Sequence, residues 1–365
     1  MRLGLIGLGR IGAFHAETLS GLSAVDTLVV SDSFAGRAAE IAGKLGAEAA
    51  GSSDDLLRSG IDGLVIAAAT DSHPALLRQA IDAGLPVFCE KPVAASASEA
   101  AQLARHVAGC ADHVQIGYPR RFDTGFVRAR DALHSGQLGW LHTIRSTTLD
   151  PAPPPRDYAA VTGGIFRDCG VHDFDAVRWV TGREVAEVYA TGSNRGEEWI
   201  ADLGDADTTA TILTLDDGTL AVVSNTRYNA RGYDVRLELH GSLDSIAAGF
   251  DNGLPLESAE AGVSFPAGPP HQFFMDRFAA AFRAELAAFT EVVSGQRPSP
   301  CTVADTVESG WVAEAATLSL REHRPVRVDE VRQLTSTSPA PDRPDGTTPK
   351  TTAIFMHKNL RPTWT

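Results

Sequence analysis

Residues 2–19, RLGLIGLGRIGAFHAETL, are the stretch on which the fold turns. Residues 2–6 are an apolar run of strand length that enters Gly7-Leu8-Gly9-Arg10-Ile11-Gly12 without a break, and Phe14, Ala16, Leu19 and Leu22 follow at helical spacing. GxGxxG between a strand and a helix predicts a dinucleotide-binding turn. Glycines allow the tight turn, let the backbone approach a pyrophosphate and permit close helix packing, while the helix N-terminus offers N–H groups and positive potential. Gly7, Gly9, Arg10, Ile11 and Gly12 are therefore the expected contacts to the cofactor. A second strand, 27–31, ends at Asp32, twenty residues after Gly12, where such a unit places the carboxylate that binds the adenosine ribose. That charge repels a 2′-phosphate, so NAD is expected over NADP, with Arg37 the one nearby group that would favour the phosphate by turning toward it.

The alternation continues outward. A helix over 34–45 and a short one around 53–59 precede a buried strand, 63–69; residues 70–74, TDSHP, then open a helix to Gly84, and a strand over 86–89 ends at Glu90-Lys91-Pro92. Strands separated by helices predict a parallel sheet, and ligands bind along its C-terminal edge. Thr70, His73, Glu90 and Lys91 fall on that edge and join the expected cofactor contacts. His73 has a second reading, in which Asp71 or Ser72 caps the helix and Pro74 fills its first turn. Lys91 stands beside a proline that fixes the turn or is itself cis, which argues for a positioned rather than a solvated side chain.

After residue 119 the pattern changes. Segments 141–148, 185–192, 207–215, 219–227 and 233–240 alternate apolar with polar residues without intervening βαβ units, and Asp216-Asp217-Gly218 supplies a hairpin turn. The expected organisation is an α/β chain with a Rossmann NAD-binding domain over 1–119 and a substrate-binding and oligomerisation domain over 120–333. Helical spacing returns over 278–293 and 302–321, whereas 334–365 is rich in Ser, Thr and Pro and is expected to be a disordered tail.

The chain has 365 residues, enough for two cores, and its 46 acids against 32 bases leave a formal charge of −14. Such a balance disfavours nucleic acid and anionic membranes as partners. The longest apolar stretches are of strand length, and the N-terminus reads as a first strand and not as a secretory signal. The four cysteines form no CxxC, so a cytoplasmic location is expected.

Residues 163–179, GGIFRDCGVHDFDAVRW, carry the remaining chemistry. On an α-helix Asp168 and His172, four apart, share a face. Three readings follow: a metal site, a proton-transfer site, or a helix with a satisfied histidine. Zinc wants three or four ligands, and Cys169, adjacent to Asp168, points elsewhere on a helix, so no metal is expected.

GLGRIG at 7–12, EKP at 90–92 and DCGVHDFDAVRW at 168–179 resemble the glucose–fructose oxidoreductase, inositol dehydrogenase and MocA (Gfo/Idh/MocA) family. IGYPRRFDTGF at 116–126, LDPAPPPRDY at 149–158, GGIFRDCGVHDFD at 163–175 and RGYDVRLELHGS at 231–242 are similar to inositol 2-dehydrogenases in particular. The resemblance implies a second domain built on a large open, mainly antiparallel sheet, with a substrate site on one side and subunit contacts, in a dimer or tetramer, on the other. It implies that Lys91, Asp168 and His172 are catalytic, with His172 as general base, Lys91 on the substrate hydroxyl and the cofactor, and Asp168 orienting the polyol or hydrogen-bonded to His172. Arg120, Asp150 and Tyr233 join Lys91, Asp168 and His172 as implied substrate contacts. Other readings stay open: Arg120 or Arg121 pairing with Asp123, Asp150 beginning a turn, and Asp173 and Asp175 solvated or structural, the latter by pairing with Arg178. Phe274 stands where inositol dehydrogenases can carry a tryptophan, and Cys169 and Gly170 replace residues that are often larger. The implied activity is NAD-dependent oxidation of a cyclitol secondary hydroxyl, myo-inositol to its 2-keto form first. Another ring polyol, such as an aminocyclitol precursor, sugar or anhydrosugar, and a non-catalytic NAD-binding sensor are the alternatives.

Overall fold

The computed structural model describes residues 1–34, 36–266 and 268–337. Its first sheet runs β3-β2-β1-β4-β5-β6, with β1 Arg2–Ile6, β2 Thr27–Ser31, β3 Glu48–Ala49, β4 Gly63–Ile66, β5 Val87–Cys89 and β6 Val114–Ile116, every pair parallel. This is the doubly wound dinucleotide-binding order. Leu3, Leu5, Leu64, Val65 and Ile66 are fully buried, as strands covered on both faces require.

One of those covers comes from far along the chain. Leu286, Phe289 and Val292 of the helix Ala279–Val293 share a buried cluster with Leu3, Leu5, Val30 and Phe88, beside Ala16 and Leu19 of the helix Arg10–Ser20. Each such side chain stabilises the fold by about 2 kcal/mol through its burial. A division at residue 119 thus marks a change in strand pattern, while the packing of the first sheet is completed by residues 279–293.

The second sheet runs β12-β11-β7-β10-β9-β8-β13, with β7 Leu141–Leu149, β8 Val185–Ser193, β9 Thr208–Leu215, β10 Leu220–Thr226, β11 Asp234–Gly241, β12 Ser245–Ala248 and β13 Val326–Arg327. It is antiparallel except at β7/β10. The expected β9–β10 hairpin forms, with Gly218 at φ +88°, where glycine alone avoids strain. Alternation decides the faces: one side packs against the helices Val171–Thr181 and Val303–Glu322, while Tyr189, Ile212, Leu220 and Val222 point outward and are exposed. The expected tail begins within the helix Val328–Thr337, and its residues from 338 on lie outside the described ones. No described helix is long and apolar enough to cross a membrane.

Between β7 and β8 the chain departs from regular α-helix. Phe166–Gly170 form a π turn directly before Val171–Thr181. Gly163 and Gly164, at φ +79° and +90°, lead into it, and the Ile165 N–H donates to the Asp205 carboxylate at 2.9 Å. A Cβ at Gly170 would lie 3.2 Å from both Asn225 Oδ1 and the Phe174 ring, so the residue there must be small.

Candidate active site

The glycine turn fits a dinucleotide. Gly7 has φ +92°, and a Cβ on Gly12 would fall 1.9 Å from the Gly7 carbonyl oxygen, so neither position accepts a side chain. Gly9 meets nothing within 4 Å and caps its helix with no side chain, leaving the first N–H groups open to a pyrophosphate. Asp32, with a side chain 5% exposed, accepts from Leu8 N–H at 2.6 Å and Phe34 N–H at 2.7 Å, which aims the carboxylate from the end of β2. The Arg37 guanidinium lies 3.7 Å from that carboxylate and 4.5 Å over the Phe34 ring, held by the acid rather than free for a phosphate. Asp32→Ala is accordingly expected to raise the NAD KM about tenfold and to narrow the preference over NADP, measured by cofactor titration; an unchanged NAD/NADP ratio would show that the carboxylate does not discriminate.

The other expected cofactor residues have more varied settings. Arg10 stacks 4.7 Å over Phe273 and 5.8 Å over Phe274, so the glycine turn is tied to the second domain. Ile11 packs on the core and Thr70 starts a short 3-10 turn. His73 has its ring turned toward backbone carbonyls. It is buried, with Nδ1 2.8 Å from the Pro92 carbonyl and Nε2 3.0 Å from the Ala68 carbonyl, so its ring lies between the end of β4 and the EKP turn, and whichever nitrogen carries the N–H donates to one of the two carbonyls. Ser72 occupies the N-cap without a side-chain bond, and Pro74 does fall in the first turn. Glu90 turns toward buried His15, at 2.6 Å from Nε2, and accepts the Lys91 N–H at 3.2 Å.

Lys91 precedes a cis proline, and its Nζ donates to the Asp168 carbonyl at 3.0 Å, with the Asp168 carboxylate at 3.7 Å. Burial works to lower the ammonium's pKa, but Asp168 and other nearby acids outweigh it and leave it raised, hence cationic. Among the described residues no hydrogen bond joins Asp168, in the π turn, to His172, in the helix that follows it. Asp168 instead receives Arg227 Nη1 on Oδ2 at 3.2 Å and the Tyr158 hydroxyl on Oδ1 at 3.4 Å. His172 packs edge-on against Tyr118, with ring centroids 5.6 Å apart, and its Nδ1 is enclosed without a partner. Burial, reinforced by the Lys91 and Arg120 charges, holds its pKa well below the usual 6.5, so the imidazole is neutral at pH 7. Because the unfolded chain takes up this proton at a higher pH than the folded one, stability falls as pH drops below 6.5.

Arg120 is enclosed among protein partners. It is 2% exposed, with Nη1 on Asp173 at 2.7 Å and Nη2 on Thr148 at 2.7 Å, and it is hydrogen-bonded to the Tyr233 phenol. Arg121 pairs with Asp175 at 2.6 Å, Asp123 with Arg277 at 2.8 Å, and Arg178 with Glu184 at 2.7 Å. Asp173 and Asp175 are thus buried anchors for Arg120 and Arg121, and neither is solvated or paired with Arg178. Asp150 sits in the same pocket, accepting the Cys169 thiol at 3.2 Å, and burial and then Asp168 raise its carboxyl pKa. The Cys169 thiol is itself pushed far up by burial and by Asp150 and Asp168, which suits a weak donor and not a nucleophile. Tyr233 is edge-on to Phe274, with centroids 6.5 Å apart, closing the side toward Arg10.

Reading the sequence alone missed His15, Tyr158, Asp205 and Arg227. Tyr158 lay within LDPAPPPRDY, and Arg227 was a lone cation ending an alternating strand; those were the available signals.

Comparison with known proteins agrees with this architecture. The family described as oxidoreductase family, NAD-binding Rossmann fold, matches residues 1–118, and the GFO/IDH/MocA C-terminal domain matches 126–247. An inositol 2-dehydrogenase of Rhizobium meliloti (strain 1021) is 34% identical over 90% of this chain and 99% of its own. A myo-inositol 2-dehydrogenase of Thermotoga maritima is 35% identical over 91% and 99%. The crystal structure of scyllo-inositol dehydrogenase from Lactobacillus casei, with bound NAD(H) and scyllo-inositol, superposes with a TM-score of 0.81 at 26% identity, covering 90% of this chain and 99% of that one.

Proposed function

The chain belongs to the Gfo/Idh/MocA family of NAD-dependent oxidoreductases acting on CH–OH groups, and from that premise we propose that it oxidises a ring secondary hydroxyl of a cyclitol, with myo-inositol to its 2-keto form the first candidate. One observation carries the reading: a cation, a carboxylate and a neutral imidazole, Lys91, Asp168 and His172, converge beside the edge of a sheet whose glycine turn accepts a dinucleotide. The bound nicotinamide supplies a hydride acceptor for the carbinol carbon. The chain's own residues handle the proton and the charge. His172, neutral at pH 7, takes the hydroxyl proton, and the Lys91 ammonium, fixed on Asp168, opposes the charge developing on oxygen.

In this reading Asp168 Oδ1, Asp150 and the Tyr233 and Tyr158 hydroxyls bind the remaining hydroxyls of a polyol, and it is supported by the relatives named above, whose names give inositols as substrate. The outward apolar residues of β8, β9 and β10 support association with a second copy. Incubating the pure protein with NAD and a panel of inositols, aminocyclitols and sugars, and following reduced nicotinamide, tests the assignment: turnover is expected with at least one inositol. Because protonation of His172 requires a pH well below 6.5, the acid limb of kcat/KM is expected below that value; a limb above 6.5 would assign proton removal to another group.

A further inference from the structure

We infer that Arg227 and Asp205 are positioning residues for this reaction, acting through Asp168 to fix which carboxylate oxygen meets the substrate. Arg227 ends β10 with a side chain only 1% exposed, and its two terminal nitrogens bridge two carboxylates: Nη1 to Asp168 Oδ2 at 3.2 Å and Nη2 to Asp205 Oδ2 at 3.4 Å. Asp205 in turn accepts the Ile165 N–H on Oδ1 at 2.9 Å, so it clamps the start of the segment whose π turn carries Asp168. The chain of contacts Ile165–Asp205–Arg227–Asp168 therefore spans the turn from entry to functional side chain.

Two consequences follow. With Oδ2 committed to Arg227, Oδ1, facing Lys91 at 3.7 Å and the Tyr158 hydroxyl at 3.4 Å, is the oxygen presented to a polyol hydroxyl. The bridge also sets the rotation of the π turn, and with it the angle between Asp168 and the helix that begins at Val171 and carries His172. A planar guanidinium is suited to this, since a lysine ammonium reaching the same place offers a point charge and not a fork.

The inference rests on the dehydrogenase reading, and its test uses Arg227→Lys and Asp205→Asn, neither of which changes side-chain bulk greatly, assayed with whichever ring polyol the parent oxidises best. For each variant the expected result is a polyol KM raised about tenfold and a kcat/KM lowered about a hundredfold, because small misplacements at a reacting centre have effects of that size. NAD affinity, read separately by quenching of protein fluorescence, is expected to stay within about twofold of the parent, since neither residue touches the glycine turn. Arg227→Ala is expected to lose more activity and to regain part of it with added guanidinium ion. A kcat/KM within about twofold of the parent in both conservative variants would overturn the inference, as would parallel losses of polyol and NAD binding, which mark a merely structural role. If the parent oxidises a sugar and no inositol, the cyclitol reading fails while the Arg227 comparison stands on that sugar.

Discussion

Replacing His172 by alanine is expected to lower kcat by about 10²–10⁴-fold while leaving NAD affinity near that of the parent. The size of the effect follows from the setting. No other side chain in the pocket is both neutral and basic at pH 7: Lys91 is held cationic by Asp168, Cys169 is a buried thiol, and burial raises the phenols of Tyr158 and Tyr233. Asp150 has a raised pKa, yet it accepts from Cys169, so its carboxylate is already engaged within the protein. Steady-state kinetics on the variant decide the matter, with NAD binding measured in parallel. Turnover within a few-fold of the parent would remove His172 from its role as base. Partial recovery with added imidazole, which can enter the space left by the ring, would tie the loss to proton transfer rather than to collapse of the turn.

Asp173→Ala is expected to cost about 3–5 kcal/mol of stability, because it removes one partner of a buried ion pair and leaves a guanidinium enclosed without its counter-charge. Asp173 is fully buried and accepts from Arg120 at 2.7 Å, Ser146 at 2.6 Å, Thr148 at 2.9 Å and Asn225 at 2.8 Å. Those donors come from β7, β10 and the turn after β6, so one carboxylate joins the second sheet to the segment that follows the first sheet. The denaturant midpoint of Asp173→Ala should fall accordingly; a midpoint equal to the parent's would mean that Arg120 finds another partner or water. Asp173→Asn, which keeps the shape and loses the charge, should fall between the two.

Much of this was legible one residue at a time. GLGRIG, Asp32 and the alternation of strand and helix lead to the doubly wound sheet, because each step is local: a glycine where no Cβ fits, an acid at a strand end, an apolar run of strand length. EKP and the DxxxH spacing picked out Lys91, Asp168 and His172, which the fold brings together from residues more than seventy apart in sequence. His73 and Arg120 read differently in the structure because a polar residue at a sheet edge looks the same in sequence whether it faces a ligand or its own backbone. Only the Pro92 and Ala68 carbonyls, and Asp173, separate those cases.

The sequence by itself determined a dinucleotide turn and a preference for NAD, both written in short-range spacing, while the proton-handling roles of Lys91, Asp168 and His172 came from their resemblance to a family. Tertiary structure alone decided their partnerships. The helix Ala279–Val293 covers a sheet that ends more than a hundred residues before it, and β7 lies parallel to β10, because burial and hydrogen bonding act on distance in space and not in sequence. Asp168, in the π turn Phe166–Gly170, is held by Arg227 from the end of β10 and not by His172, a partnership across the fold that spacing along the chain does not carry.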